Sequence, residues 1–522
     1  MSSALSRRAV LRGGFGLAAV GALSACGAAA VGRDSGGAAT AGSAFGGSTR
    51  TPLSAAAPVA GQRVVTAALT PGPAWVDLGG IAVDTWAYGA TVPGKAIRAS
   101  AGDFLKVTVA NRLPADTTVH WHGIRLDNAA DGVPGMTQDP IAPGAAFDYG
   151  FTVPDPGTYF FHPHVGVQLD RGLYGPLIVD DPHEPSRYDD EWVIVLDDWI
   201  DGTGTTPDEV LRKLTGGSDA TGGGGGPMGG AMDHGSMGMG SGDLGDMASG
   251  GMGGMIGAPP WGDAGDITYP HFLINGKTPT DSVVFSGKPG QRIRIRLISA
   301  ASDTVFAVYL GGHRMTVTHT DGWATKPTDT EALYVGMGER YDVLVTLGDG
   351  AFPLVAIPFG KSGQAREIVR TSPGAAAPTL DSAIPSPRDV LIGSRLAPAP
   401  ETVLAARAPD AVADLVLTGS MRPYVWRINC AVYGKNEPIA VDAGQRLRIQ
   451  IVNMSMMAHP IHLHGHTFAL ADTGLRKDTV MLAPMETRAI DLDADNRGDW
   501  ALHCHNIYHA EAGMMTELRY TA

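Results

Sequence analysis

The sequence reads as an all-β chain of three domains in tandem. Its 522 residues stand against roughly 150 for an ordinary domain. Composition favours turns and strands over long helices, with 71 Gly, 36 Pro, 44% hydrophobic and only 18% charged residues. One strand pattern also occurs three times. GDFLKVTVAN (102–111), GQRIRIRLIS (290–299) and GQRLRIQIVN (444–453) each open on glycine and then alternate apolar with polar residues, as a half-buried strand does. A single β unit used three times accounts for this economically.

Residues 1–25 read as an export signal. The run from Phe15 to Ala25 is too short and too rich in Gly and Ala to span a membrane permanently. Arg7-Arg8 resembles a twin-arginine signal, a route for proteins exported already folded. Leu23-Ser24-Ala25-Cys26 resembles a lipobox, in which the cysteine is lipidated and tethers the chain to a membrane of the cell envelope. Residues 26–61, rich in Ala, Gly and Ser, read as a flexible tether. Domains are then expected over 62–182, 183–372 and 373–522. The net charge of −14 argues against nucleic acid, which needs a basic patch, and suits an exported protein that meets cations.

Aligned on the repeated strand, the histidines fall into register. His120 and His122 ("HWHG") stand nine and eleven residues after Asn111, and His462 and His464 ("HLHG") stand at the same offsets from Asn453. The middle repeat has Val308 and Leu310 there. Further along, GTYFFHPH (157–164) matches GDWALHCH (498–505), which pairs His162 with His503 and His164 with His505; the middle repeat offers Val355 and Ile357. On a strand, an H-x-H pair aims both imidazoles at one face. Four such pairs suffice for a metal cluster where domains one and three meet.

Cys504, between His503 and His505, is expected to project from the opposite face and to bind a separate metal. One Cys, two His and a distant Met favour blue copper, whereas zinc gains nothing from Met. Cys504, His509, Met514 and a further histidine, with His459 at hand, are the natural members. Cys504 then wires two copper sites over about ten ångströms, and pairing it with Cys430 is not expected. Cys430 aligns with Gly276 as a scaffold position.

With these motifs the sequence resembles the three-domain multicopper oxidases, the laccase-like family that includes bacterial copper-resistance oxidases, over roughly residues 62–522. The resemblance implies three cupredoxin-like Greek-key β-sandwich domains, four copper ions and dioxygen as electron acceptor. It implies a type 1 copper on His459, Cys504, His509 and Met514, and type 2 copper on His120 and His462. The two type 3 coppers fall to His122, His162, His164, His464, His503 and His505. Asp131, eleven residues after His120, matches an acidic residue of similar bacterial enzymes and is a candidate proton donor, although Asp131-Gly132 is also a turn dipeptide. The family often has Glu directly after the histidine equivalent to His509; here Ala510 stands there and Glu511 follows.

An insertion of about 202–262 interrupts domain two. It holds Met228, Met232, Met237, Met239, Met247, Met252 and Met255, with Asp233 and His234. Soft thioethers select Cu(I), so recruitment of cuprous ion is the preferred reading over an idle Gly-rich loop. The expected function is a monomeric exported oxidase coupling Cu(I) oxidation to four-electron reduction of dioxygen. The alternatives are a general laccase acting on phenols, or a copper-storage protein without turnover.

Overall fold

The computed structural model describes residues 56–216, 260–380 and 387–521. Outside them lie the twin-arginine pair, Cys26 and most of the expected tether, and also the methionines of the insertion.

The three repeated strands are Phe104–Ala110, Arg292–Ser299 and Arg446–Asn453. Each pairs in parallel with an earlier strand: Val64–Leu69, Asp190–Trp199 and Ala411–Met421 respectively. Each also pairs antiparallel with a later one: Ala146–Thr152, Arg340–Thr346 and Thr487–Asp493. One strand-pairing scheme therefore recurs three times, as the sequence repeat requires. A second sheet accompanies each first sheet, of four, six and five strands in chain order. In domain one the sheets share a core of Leu105, Val107 and Val109 with Tyr159, Phe161 and Leu177, the sandwich arrangement in which alternate residues face inward. Asn275–Gly276 and Asn429–Cys430 adopt the same left-handed turn, with φ of 50° and 73°, then 50° and 66°, so Cys430 occupies the scaffold position that its alignment indicates.

Two expectations shift. The middle sheets extend past residue 372, because Val390–Leu391 pairs in parallel with Ala332–Leu333; the passage into domain three lies later than expected. The insertion also begins with structure. Pro207–Leu214 is a helix capped reciprocally by Thr206 and Glu209, and Val210, Leu211 and Leu214 pack against the main core. Among the described residues no helix is long and apolar enough to cross a membrane.

Glu367 is fully buried, and burial, offset only in part by the Val283 amide, pushes it up to about 9 from 4.5. A raised folded value favours the fold below the unfolded value, and that contribution is lost as pH rises through the folded one. Glu367→Gln should therefore raise the melting temperature more near pH 9 than near pH 5, as calorimetry at the two pH values would reveal.

Candidate metal centre

The last asparagine of the repeat prepares both outer sites. The Asn111 side chain donates to the carbonyls of Ala115 and Ile141, and Asn453 donates to those of Met457 and Ala483. These bonds tie down the loops that lead into strands His120–His122 and His459–Leu463. Across the sheet, His120 faces His162 in one domain and His462 faces His503 in the other. The strands are shorter than an all-strand H-x-H pattern requires. His164, His464 and His505 each lie just beyond a strand end, and Gly465 turns the chain at φ 62°. Their rings nonetheless converge.

Cys504 pairs with Ile461 and is a free thiol. Asn506 caps the short helix Ile507–Glu511, its side chain accepting from the Tyr508 and His509 amides, and this returns His509 to the cysteine. The Cys504 Sγ lies 3.6 Å from His459 Nδ1 and 3.7 Å from His509 Nδ1, and these two nitrogens are 3.1 Å apart. Both outer nitrogens are occupied: His459 Nε2 donates to Ser455 at 2.7 Å and His509 Nε2 to Asp266 at 2.9 Å. The lone pairs on Nδ1 therefore face the sulfur. Met514 is fully buried beside them; its amide donates to the His509 carbonyl, and its carbonyl accepts from the Cys504 amide. Trp426 lies against the His509 ring at 4.0 Å. Burial pushes the Cys504 thiol well up, so a thiolate here needs a cation as partner.

The other eight histidines gather between domains one and three, all of them buried. Each tied nitrogen leaves the opposite one free to face inward. His162 Nδ1 donates to the Pro163 carbonyl, His503 Nδ1 to the Cys504 carbonyl and His462 Nδ1 to the Asp478 carbonyl. His120 Nδ1 donates to the Asp131 carbonyl. Among the described residues, the Nε2 atoms of His120, His162 and His462, the Nδ1 of His122 and both nitrogens of His505 have no hydrogen-bond partner. His503 Nε2 approaches those of His464 and His164 at 3.0 and 3.4 Å. Burial, then the neighbouring imidazoles, hold His122, His162, His164, His464 and His505 well below the usual histidine range. The same causes bring His503 to about 3. A buried polar atom without a partner costs about 1–3 kcal/mol. So many convergent, neutral, unpaired imidazole nitrogens fit metal cations, and imidazole with thiolate suits copper.

The comparisons agree with this chemistry. Multicopper oxidase family profiles match residues 73–184, 258–376 and 407–522. The chain is 46% identical over 466 residues to multicopper oxidase MmcO of Mycobacterium tuberculosis, covering 88% of this chain and 87% of that protein. The chain belongs to the multicopper oxidase family. A copper resistance protein A homolog of Pseudomonas syringae pv. tomato is 31% identical, covering 86% of this chain and 91% of the relative. Among solved structures, Fet3p, a multicopper oxidase that functions in iron import, shares the fold with a TM-score of 0.71 at 20% identity, over 88% of this chain and 90% of that one. A point mutant of the laccase from B. aclada matches with a TM-score of 0.69 at 25% identity, over 88% of each chain.

Carboxylates differ in how they meet this multicopper oxidase's histidines. Asp131 Oδ2 is 3.0 Å from His464 Nδ1 and its Oδ1 is 3.2 Å from His120 Nδ1. Gly132, at φ 78°, lets this turn press on strand His120–His122, since a Cβ there would stand 1.9 Å from the Val119 carbonyl oxygen. Glu511 is joined to the cluster histidines by no hydrogen bond or ion pair among the described residues. It is half-buried, burial and then Asp208 push it up to about 7, and it has no hydrogen bond among the described residues. Sequence reasoning missed Asp266, Ser455, Trp426, Asp478 and Arg340. None sits in a repeated motif; only Ser455, four residues before His459, had a local signal.

Proposed function

We propose that this multicopper oxidase is an exported cuprous oxidase. Type 1 copper is assigned to His459, Cys504, His509 and Met514, and type 2 to His120 and His462. The type 3 pair takes His122, His162, His164, His464, His503 and His505. Cys26 is assigned a lipid anchor in the cell envelope after twin-arginine export. When bound, these metals supply one-electron transfer at type 1 and four-electron reduction of dioxygen to two waters at the cluster. The chain's own residues do the rest. Cys504 conducts from the type 1 site: its carbonyl accepts from His503 Nδ1 at 2.8 Å, joining the two centres by one residue and one hydrogen bond. Asp131, within 3.0–3.2 Å of two cluster histidines, holds protons where reduction consumes them.

The observation that carries the Cu(I) assignment is the surrounding of His509. Its outer nitrogen donates to Asp266, an anionic oxygen at the electron entry that also accepts from Tyr424 at 2.6 Å. The exit of the methionine-rich insertion reaches the loop before His459. The helix that opens it packs Val210, Leu211 and Leu214 on the main core, and Gly262, at its exit, bridges to Met457, two residues before His459. Seven thioethers in sequence between these ends suit delivery of a soft cation, and the 31% identity to a copper resistance protein A homolog agrees with that. A laccase acting mainly on phenols is the second reading, supported by the laccase-like fold.

Deleting residues 222–258 should depress Cu(I) oxidation severalfold and leave phenol oxidation equal or faster. Oxygen uptake with each substrate, compared at equal copper loading, tests this. Equal loss of both activities, or no change in either, would favour the laccase reading.

A further inference from the structure

Among the described residues domain two contributes none to the histidine clusters, yet one of its side chains reaches the back of them. Arg340, fully buried at the start of strand Arg340–Thr346, touches all three domains. Its Nη1 and Nη2 donate to Asp478 of domain three at 2.7 and 2.6 Å, and its Nε donates to the Thr158 carbonyl of domain one at 3.1 Å. The amide of Arg340 donates to Asp321 of domain two at 3.0 Å. Thr158 lies on the strand that ends at His162. There is little slack, since a Cβ on Gly123 would stand 2.3 Å from Arg340 Nη2, and one on Gly338 would meet the rings of His505 and His122 near 3 Å.

Asp478 and Thr479 hold the far edges of two cluster histidines at once. The His122 and His462 rings, from domains one and three, stack with centroids 3.8 Å apart at 13°. Asp478 Oδ1 is 3.4 Å from both His122 Nε2 and His462 Nδ1. The Thr479 hydroxyl lies 3.2 and 3.0 Å from the same two atoms. Behind them Asp321 accepts from the Asp478 and Thr479 amides and pairs with Lys477, which also pairs with Glu339. A network of buried charges is a poor source of stability, because apolar packing of the same volume serves as well or better. Its value lies in geometric register.

We propose that Arg340 is a positioning residue for the cluster. Through Asp478 and Thr479 it fixes the outer nitrogens of His122 and His462, so that His122 presents Nδ1 inward and His462 presents Nε2. The inference rests on the ligand assignment above. Loss of such an outer partner typically weakens metal binding about 10–100-fold.

The test uses holoenzyme carrying Arg340→Lys, Asp478→Asn or Thr479→Ala, with copper per chain, blue absorption, the type 2 EPR spectrum and melting temperature read for each. Lysine keeps the charge but loses the two-pronged grip. The expected result is retained blue colour, cluster copper bound about tenfold or more weakly, and an altered type 2 EPR spectrum. Full cluster copper with a wild-type spectrum in all three variants would overturn the proposal and leave Arg340 as a clasp between domains. If the Arg340→Lys and Asp478→Asn variants fail to fold, Thr479→Ala decides: an altered spectrum supports the proposal, and an unchanged one overturns it. Wild-type enzyme without a type 2 signal would overturn the ligand assignment itself.

Discussion

Cys504→Ser should yield a colourless protein whose oxidase turnover is at background, with about three coppers still bound per chain. Blue colour in such a site comes from the copper–thiolate bond, and serine supplies no thiolate. The same change removes the thiolate link into the through-bond route, because the route runs from the Cys504 sulfur through the residue whose backbone carbonyl accepts from His503 Nδ1. The fold should survive. Serine is smaller and fits the space, but the two Nδ1 atoms, 3.6 and 3.7 Å from the sulfur, lie beyond hydrogen-bond reach of its shorter side chain, so the cost is about 1–3 kcal/mol. Absorption spectroscopy, copper analysis and oxygen uptake on one sample check all three statements. A blue and active serine variant would remove Cys504 from the centre of the account.

His120→Ala should do the reverse, keeping the blue colour while cutting oxygen reduction by about a hundredfold or more. His120 belongs to the gathering of eight histidines, where its ring stacks on His464 at 3.7 Å, and has no part in the Cys504 triangle. Type 1 copper in this variant should still accept an electron from substrate, so bleaching of the blue band in a single turnover separates the two sites. Unchanged steady-state turnover would mean that the cluster lies elsewhere.

The repeat was legible in sequence because strand alternation and a shared strand-pairing scheme act over short distances. That is why offsets from Asn111 and Asn453 lead directly to the four histidines that begin the motifs. The helix Pro207–Leu214 was hidden in a segment whose Gly and Met content masks a brief amphipathic turn. Asp266, Arg340 and Asp478 were illegible for another reason. Asp266 meets His509 across 243 residues, and Arg340 meets Asp478 across 138. Such pairs arise only when domains pack, and no local period announces them. Glu511 shows how sensitive such placement is: one residue along a helix turns a side chain by about 100°, and no hydrogen bond or ion pair joins its carboxylate to the cluster among the described residues.

Oxygen uptake with Cu(I) as sole electron donor, titrated to stoichiometry, tests the cuprous oxidase claim most directly. About four Cu(I) should be oxidised per dioxygen consumed, without accumulating hydrogen peroxide, and at an efficiency exceeding that with phenols. Negligible uptake with Cu(I) by fully metallated enzyme that oxidises phenols at full rate would contradict it.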